Sequence, residues 1–259
     1  MNRSIISFAG AGRVASALCR ELYSIGYRID LIVSESEKSS RILAESCQAS
    51  WSSELNFPQS TDIIIIAVPD RRIISVLSTL KCGSETLVVH TAGSIGLDIF
   101  PEHYKRKGIF YPLQTFSTGR QVNFNKLPFL LETSDNESSG VLKDLAESMG
   151  GEVHFVDSER RRMLHLAAVF VCNFTNYMLT AGQEIASKAG FDVGVLEPLI
   201  KETISKAIDI GPESSQTGPA IRNDLNTIEK HLELLSFSPE LQRIYNEMTR
   251  SIIKYYNKS

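Results

Sequence analysis

Apolar residues fall along this chain in two rhythms, and the change between them divides it. Up to Val156, short apolar runs alternate with segments whose apolar residues recur every three to four positions. Runs of the first kind predict strands at 5–9, 27–33, 49–51, 62–68, 86–90, 108–111, 127–132 and 152–156. Amphipathic segments predict helices after Gly12, where Val14, Leu18 and Leu22 share a face, and at 38–46, 71–80 and 137–149. Ile63-Ile64-Ile65-Ile66 is apolar without a break, which suits a central parallel strand covered on both faces. The alternation predicts an α/β fold, doubly wound around a mostly parallel sheet. From Asp157 onward no strand pattern remains. A long helix is expected over 158–189, stopped by Gly190, then helices at 192–208, 225–235 and 239–256, with Pro198 kinking or restarting the second.

The first strand, turn and helix carry the strongest chemical signal. Gly10, Gly12 and Ala15 stand in a G-x-G-x-x-A pattern between an apolar run and an amphipathic helix. Gly10 permits a tight turn, Gly12 lets the backbone approach a diphosphate, and Ala15 lets the helix pack closely on the strand. The N–H groups at the start of such a helix favour negative phosphates. Residues Gly10, Ala11, Gly12, Arg13 and Val14 are therefore expected to hold a dinucleotide. The chain divides on this reading into a Rossmann domain, residues 1–157, and a helical substrate or dimerisation domain, residues 158–259.

Cofactor choice should be made at the end of the second strand. Glu35 lies about 20 residues past the glycines, where an acid bonds the ribose of NAD. Ser34 and Ser36, with Arg13 or Lys38, suit the extra phosphate of NADP, so both cofactors stay open. In a doubly wound sheet, ligands sit beyond the carboxyl ends of the strands. That places Val68, Pro69 and Asp70 beside the cofactor, and His90 and Ser94 near its reactive ring. His90 is a candidate acid because imidazole titrates near neutrality.

In the long helix, His165, Asn173 and Asn176 interrupt an apolar surface. At 100° per residue His165 and Asn176 lie about 20° of arc apart. Buried polar groups need partners, so this stripe reads as a substrate pocket or as hydrogen bonding inside a helical dimer core. The loop Thr217-Gly-Pro-Ala-Ile-Arg-Asn-Asp224 offers Arg222 as a fork for a carboxylate or phosphate. Asp224 either holds that fork or caps the next helix.

Composition narrows the field. The chain has 259 residues, 42% hydrophobic and 22% charged, with a net charge of −3, which fits a globular protein with a sizeable core. Arg160-Arg161-Arg162 is the one basic cluster and reads as a solvated helix start, so nucleic acid is not an expected partner. Cys19, Cys47, Cys82 and Cys172 are far apart and read as reduced thiols of a cytoplasmic protein. The stretch Leu164 to Ala181 is interrupted by too many polar residues to be read as a membrane span. The scattered histidines show no ligand spacing, and no metal is expected.

Five motifs together resemble a known family: Gly10-Ala-Gly-Arg-Val, Val89-His-Thr-Ala-Gly-Ser94, Tyr111-Pro-Leu-Gln-Thr-Phe-Ser117, the stretch His165 to Asn176, and Thr217 to Asp224. They resemble the Rossmann-like NAD(P)-dependent oxidoreductases with a C-terminal helical domain of unknown function. These sit in the superfamily with a 6-phosphogluconate-dehydrogenase-like C-terminal domain. Pyrroline-5-carboxylate reductase, ketopantoate reductase and 3-hydroxyisobutyrate dehydrogenase are relatives. The resemblance implies a cleft between a Rossmann domain and an all-α domain that also forms a homodimer. It departs from the superfamily in two places. Hydroxyacid dehydrogenases there carry a Lys one turn before an Asn on the first long helix, and the corresponding residues here are Val169 and Phe170. Many NADP-using relatives have an Arg where this chain has Glu35. The expected activity is hydride transfer between NAD or NADP and a carbonyl or imine of a small, anionic metabolite. His90, His165 and Asn173 are the catalytic candidates, and Ser94, Gln114, Asn176, Arg222 and Asp224 the substrate-binding ones. The alternative is a dinucleotide-binding sensor or scaffold without turnover, which the missing Lys favours.

Overall fold

The structure, a computed structural model, describes residues 3–256. Eight strands form one sheet in the order β3-β2-β1-β4-β5-β6-β7-β8. They are β1 (Ile5–Ala9), β2 (Arg28–Val33), β3 (Ser50–Ser52), β4 (Ile63–Ile66), β5 (Leu87–His90), β6 (Lys107–Pro112), β7 (Pro128–Thr133) and β8 (Glu152–Phe155). The first six run parallel. β7 turns back antiparallel on β6, and β8 lies parallel to β7. The sheet is thus mostly parallel, as the apolar runs predict.

Strand order reverses at β1, with β2 and β3 on one side and β4 to β8 on the other. The crevice beyond the carboxyl ends of β1 and β4 is where such a sheet binds its ligand. Helices α1 (Arg13–Ser24), α2 (Glu37–Ser46) and α4 (Asn136–Ser148) cover one face, and α3 (Asp70–Thr79) the other. The four isoleucines of β4 show why both faces are closed. Ile63 and Ile65 join one buried cluster with Leu18, Leu43 and Leu142, while Ile64 and Ile66 join the other with Ile73 and Leu77. Each such side chain contributes about 1.5–3 kcal/mol by leaving water.

After β8 the chain is helical. It forms α5 (Ser158–Ala168), a π-helical turn (Val169–Phe174) and α6 (Thr175–Lys188). A short 3-10 turn precedes α7 (Glu197–Ile210), followed by α8 (Pro212–Ser215), α9 (Leu225–Leu234) and α10 (Pro239–Tyr256). Pro198 stands in the first turn of α7, so it starts that helix and kinks nothing. The chain divides into two compact units, the first ending at Asn173 and the second beginning at Phe174. The first unit runs past the expected boundary at 157/158, because α5 stays with the sheet.

What keeps it there is Arg161, the middle of the three arginines expected in solvent. Its side chain is fully buried, paired with Glu132 of β7, and it donates to the Ile95 carbonyl at 2.6 Å and to Ser158 Oγ at 3.1 Å. By length and composition the helix Ser158–Lys188, whose most apolar 18 residues have a mean hydropathy of 1.2, could cross a membrane. The clasp to β7 instead commits its first third to the Rossmann unit.

Candidate active site

The glycine turn meets the requirements of a diphosphate cradle. Gly10 has φ +116°, and a Cβ there would stand 2.3 Å from the Ala67 carbonyl oxygen, so no other residue fits. Its N–H donates to the Val33 carbonyl at 2.7 Å, tying the turn to β2. Gly12 is the N-cap of α1, and nothing lies within 4 Å of where its Cβ would project. Ser36, Asp135, Asp157 and Asp224 accept N–H bonds at the starts of α2, α4, α5 and α9, and the uncapped α3 and α7 carry an acid in the first turn. At α1 no side chain does so, and its first turn holds no acid. Its first N–H groups are left for an anion, with the helix dipole behind them.

A cavity of about 950 Å³ opens beyond this turn, lined by residues of the first unit alone. Of the sequence-predicted residues, Gly12, Arg13, Val14, Val68, Pro69, Asp70, Gln114, His165 and Asn173 stand in its wall. Two of its residues are hydrogen-bonded to one another. Tyr111, at the end of β6, and His165, on α5, share a hydrogen bond between Oη and Nδ1 at 3.0 Å. Burial, and then the charge of Asp70, hold the Tyr111 phenol above its usual range. The phenol stays protonated, and in the arrangement where it donates to Nδ1 the imidazole carries its proton on Nε2. Gly93 makes room for this pair, since a Cβ there would lie 2.7 Å from His165 Nδ1 and 2.8 Å from Tyr111 Cζ. Tyr111 has no assigned role in the sequence reading. Its signal was its place at a carboxyl strand end within Tyr111-Pro-Leu-Gln-Thr-Phe-Ser117.

Other candidates fall elsewhere. His90 is fully buried, stacked on Phe100 with ring centroids 5.5 Å apart, and Nδ1 accepts the Ala92 N–H at 3.2 Å. It does not line the cavity, and burial, then the charge of Arg161, pull its pKa down to about 4. His90 thus stands apart from the cavity wall, neutral and sealed below the surface, whereas His165 lines it. Ser94 Oγ donates to Asp70 Oδ2 at 2.5 Å, steadying that carboxylate at the cavity wall. Ser34 Oγ accepts the Ser36 N–H at 3.2 Å, and Glu35 is ion-paired with Arg72 of α3. Ala11 faces a second cavity beside α1. Asn176, Arg222 and Asp224 belong to the second unit. There Asp224 caps α9, its two oxygens accepting from the Thr227 N–H at 3.1 Å and the Thr227 hydroxyl at 2.8 Å. That is the capping role. Arg222 is exposed.

Comparison with known proteins fits this geometry. Residues 5–93 match the family described as "NADP oxidoreductase coenzyme F420-dependent", and residues 127–252 match a domain of unknown function, DUF2520. A "putative NADP oxidoreductase" from Bacteroides fragilis is 38% identical over 98% of this chain and 99% of its own, with a TM-score of 0.89. An imine reductase from Pseudomonas sp. shares 18% identity over 99% of this chain and 93% of its own, TM-score 0.66. A 1-pyrroline-5-carboxylate reductase from Streptococcus pyogenes shares 16% over 98% of this chain and 100% of its own, TM-score 0.62. These last two are similar in fold. None of the curated proteins matches the chain.

Proposed function

The chain belongs to the NADP oxidoreductase family of the Bacteroides fragilis protein, its cofactor is a nicotinamide dinucleotide, and we propose that it transfers hydride between that cofactor and the carbonyl or imine carbon of a small metabolite. The observation that carries this reading is one cavity whose wall holds both the uncapped start of α1 and the Tyr111–His165 pair. The dinucleotide supplies the hydride when bound; the chain supplies position and a proton. Gly12 and the first N–H groups of α1 hold the diphosphate. Val68 and Pro69, in the same cavity wall, would contact the dinucleotide. His165 gives its Nε2 proton to the substrate heteroatom while Nδ1 takes the Tyr111 phenol proton, and the phenol regains one from solvent. Asn173, in the same wall, is proposed to bond the reacting group.

The test is binding and turnover on the same protein. NADPH and NADH are titrated by fluorescence, and oxidation is followed with keto acids, cyclic imines and their uncharged analogues. The uncharged analogues separate recognition of an anionic group from reduction of the carbonyl or imine. His165→Ala is expected to lower kcat by about 10²- to 10⁴-fold with cofactor affinity little changed, and Tyr111→Phe by a smaller factor. Full turnover in His165→Ala removes His165 from the mechanism. Tight binding with no turnover on any substrate favours the sensor instead, the reading that the absent Lys at Val169-Phe170 supports.

A further inference from the structure

The first helix carries a second set of anion-binding groups, on the face turned away from the sheet. Ala15, Leu18, Cys19 and Leu22 are its buried side. Arg13, Ser16 and Arg20 lie on the opposite side, at the spacing that stacks residues along one helix face. The loop that joins β6 to β7 passes over this face and brings Arg120 to it. Between them lies a cavity of about 710 Å³, with Ser39 from the first turn of α2 in its wall. Glu21 is its one carboxylate. Among the described residues Arg13, Arg20 and Arg120 have no ion-pair partner, as is true of six other arginines, but these three alone share one cavity. Three unpaired guanidiniums around one cavity repel each other until an anion comes between them. Planar N–H forks flanked by hydroxyls are the donor set for phosphate oxygens.

We propose that this cavity is a binding site for a dianionic phosphate ester. It shares Gly12 and Arg13 with the active-site cavity, so its phosphate sits next to the bound dinucleotide. Two sources offer that chemistry: the 2′-phosphate of NADP, or a free phosphorylated metabolite. At the end of β2, where a 2′-phosphate is usually met, Glu35 already neutralises Arg72. The unpaired arginines along α1 are the alternative. The location beside the cofactor rests on the oxidoreductase reading; the phosphate site itself does not.

Calorimetric titration of inorganic phosphate and pyrophosphate into the whole protein tests the site. Arg20→Gln and Arg120→Gln are each expected to weaken binding about tenfold, the loss of one charge-assisted contact, while Arg250→Gln in the second unit leaves it unchanged. Absence of phosphate binding at millimolar concentration, or equal affinity in both cavity variants and wild type, overturns the proposal. Fluorescence titration then identifies the source. If the 2′-phosphate occupies the site, NADPH binds at least about tenfold tighter than NADH, and Arg20→Gln erases that margin without touching NADH. If a free ester does, the margin is absent, and phosphate binds NADPH-saturated protein as well as it binds the empty one. Failure of both nucleotides to bind sinks the oxidoreductase reading, and the phosphate titration still decides this one.

Discussion

His90 shows what burial does to a group whose type suggests chemistry. The free imidazole titrates near 6.5, and in the folded chain its pKa is lowered to about 4. The unfolded chain therefore accepts a proton that the native one refuses. This stabilisation is complete above about pH 6.5 and is lost as pH falls toward 4, by about 3 kcal/mol in all. Denaturant midpoints measured across that interval should fall with acid in the wild type and fall less in His90→Phe, which keeps a ring against Phe100. Equal slopes would show that another group governs the acid limb. The glycine turn was legible in the sequence because its demands are local: one residue at positive φ and one with no Cβ in the way of a ligand. The burial of His90 was not legible because a strand end does not say to which face a side chain points, and successive residues point to opposite faces. Tyr111 went unnoticed because its partner lies 54 residues away and only the fold joins them.

Among the elements, α5 depends on one buried cation. Arg161 ties its first turn to β7, and His165 follows one turn later on the same face. Arg161→Met leaves Glu132 without its partner and is expected to cost about 3–5 kcal/mol, read by chemical denaturation. Double replacement with Glu132→Gln should recover part of that loss while kcat stays low, because the helix that aims His165 is still unclasped. Full recovery of kcat would separate the clasp from the site. A run of three arginines gives no hint which one turns inward, and that choice depends on Glu132 and Ile95 in distant segments. The π turn at Val169–Phe174 was equally hidden. It widens the helix by about one residue, so the arc of about 20° between His165 and Asn176 expected for a regular α-helix no longer holds. His165 and Asn173 stand in the cavity wall, and Asn176 belongs to the next unit.

For the whole molecule, the alternation of apolar runs and amphipathic segments was enough to predict eight strands and a helical remainder, because each strand's burial is written in its own few residues. Association is not written so plainly. Large apolar side chains stand exposed along the helical part, among them Val171 at 75%, Leu199 at 64%, Ile208 at 77% and Leu234 at 73%. Surfaces of this kind on a folded chain mark association. We expect a homodimer at micromolar concentration by light scattering, and a shift toward monomer when Ile208 and Leu199 are both replaced by Asp. A wild-type monomer would contradict this. The reversal of direction at β7 has its own consequence. Had the sheet stayed parallel after β6, the chain would have left the carboxyl edge through a crossover helix. Doubling back keeps residues 113–127 at that edge as a strap, and Phe116 within it borders both cavities. A single antiparallel strand thus sets the strap between the two cavities, so a change in its length would resize both rooms together and leave the open sheet and its helices untouched.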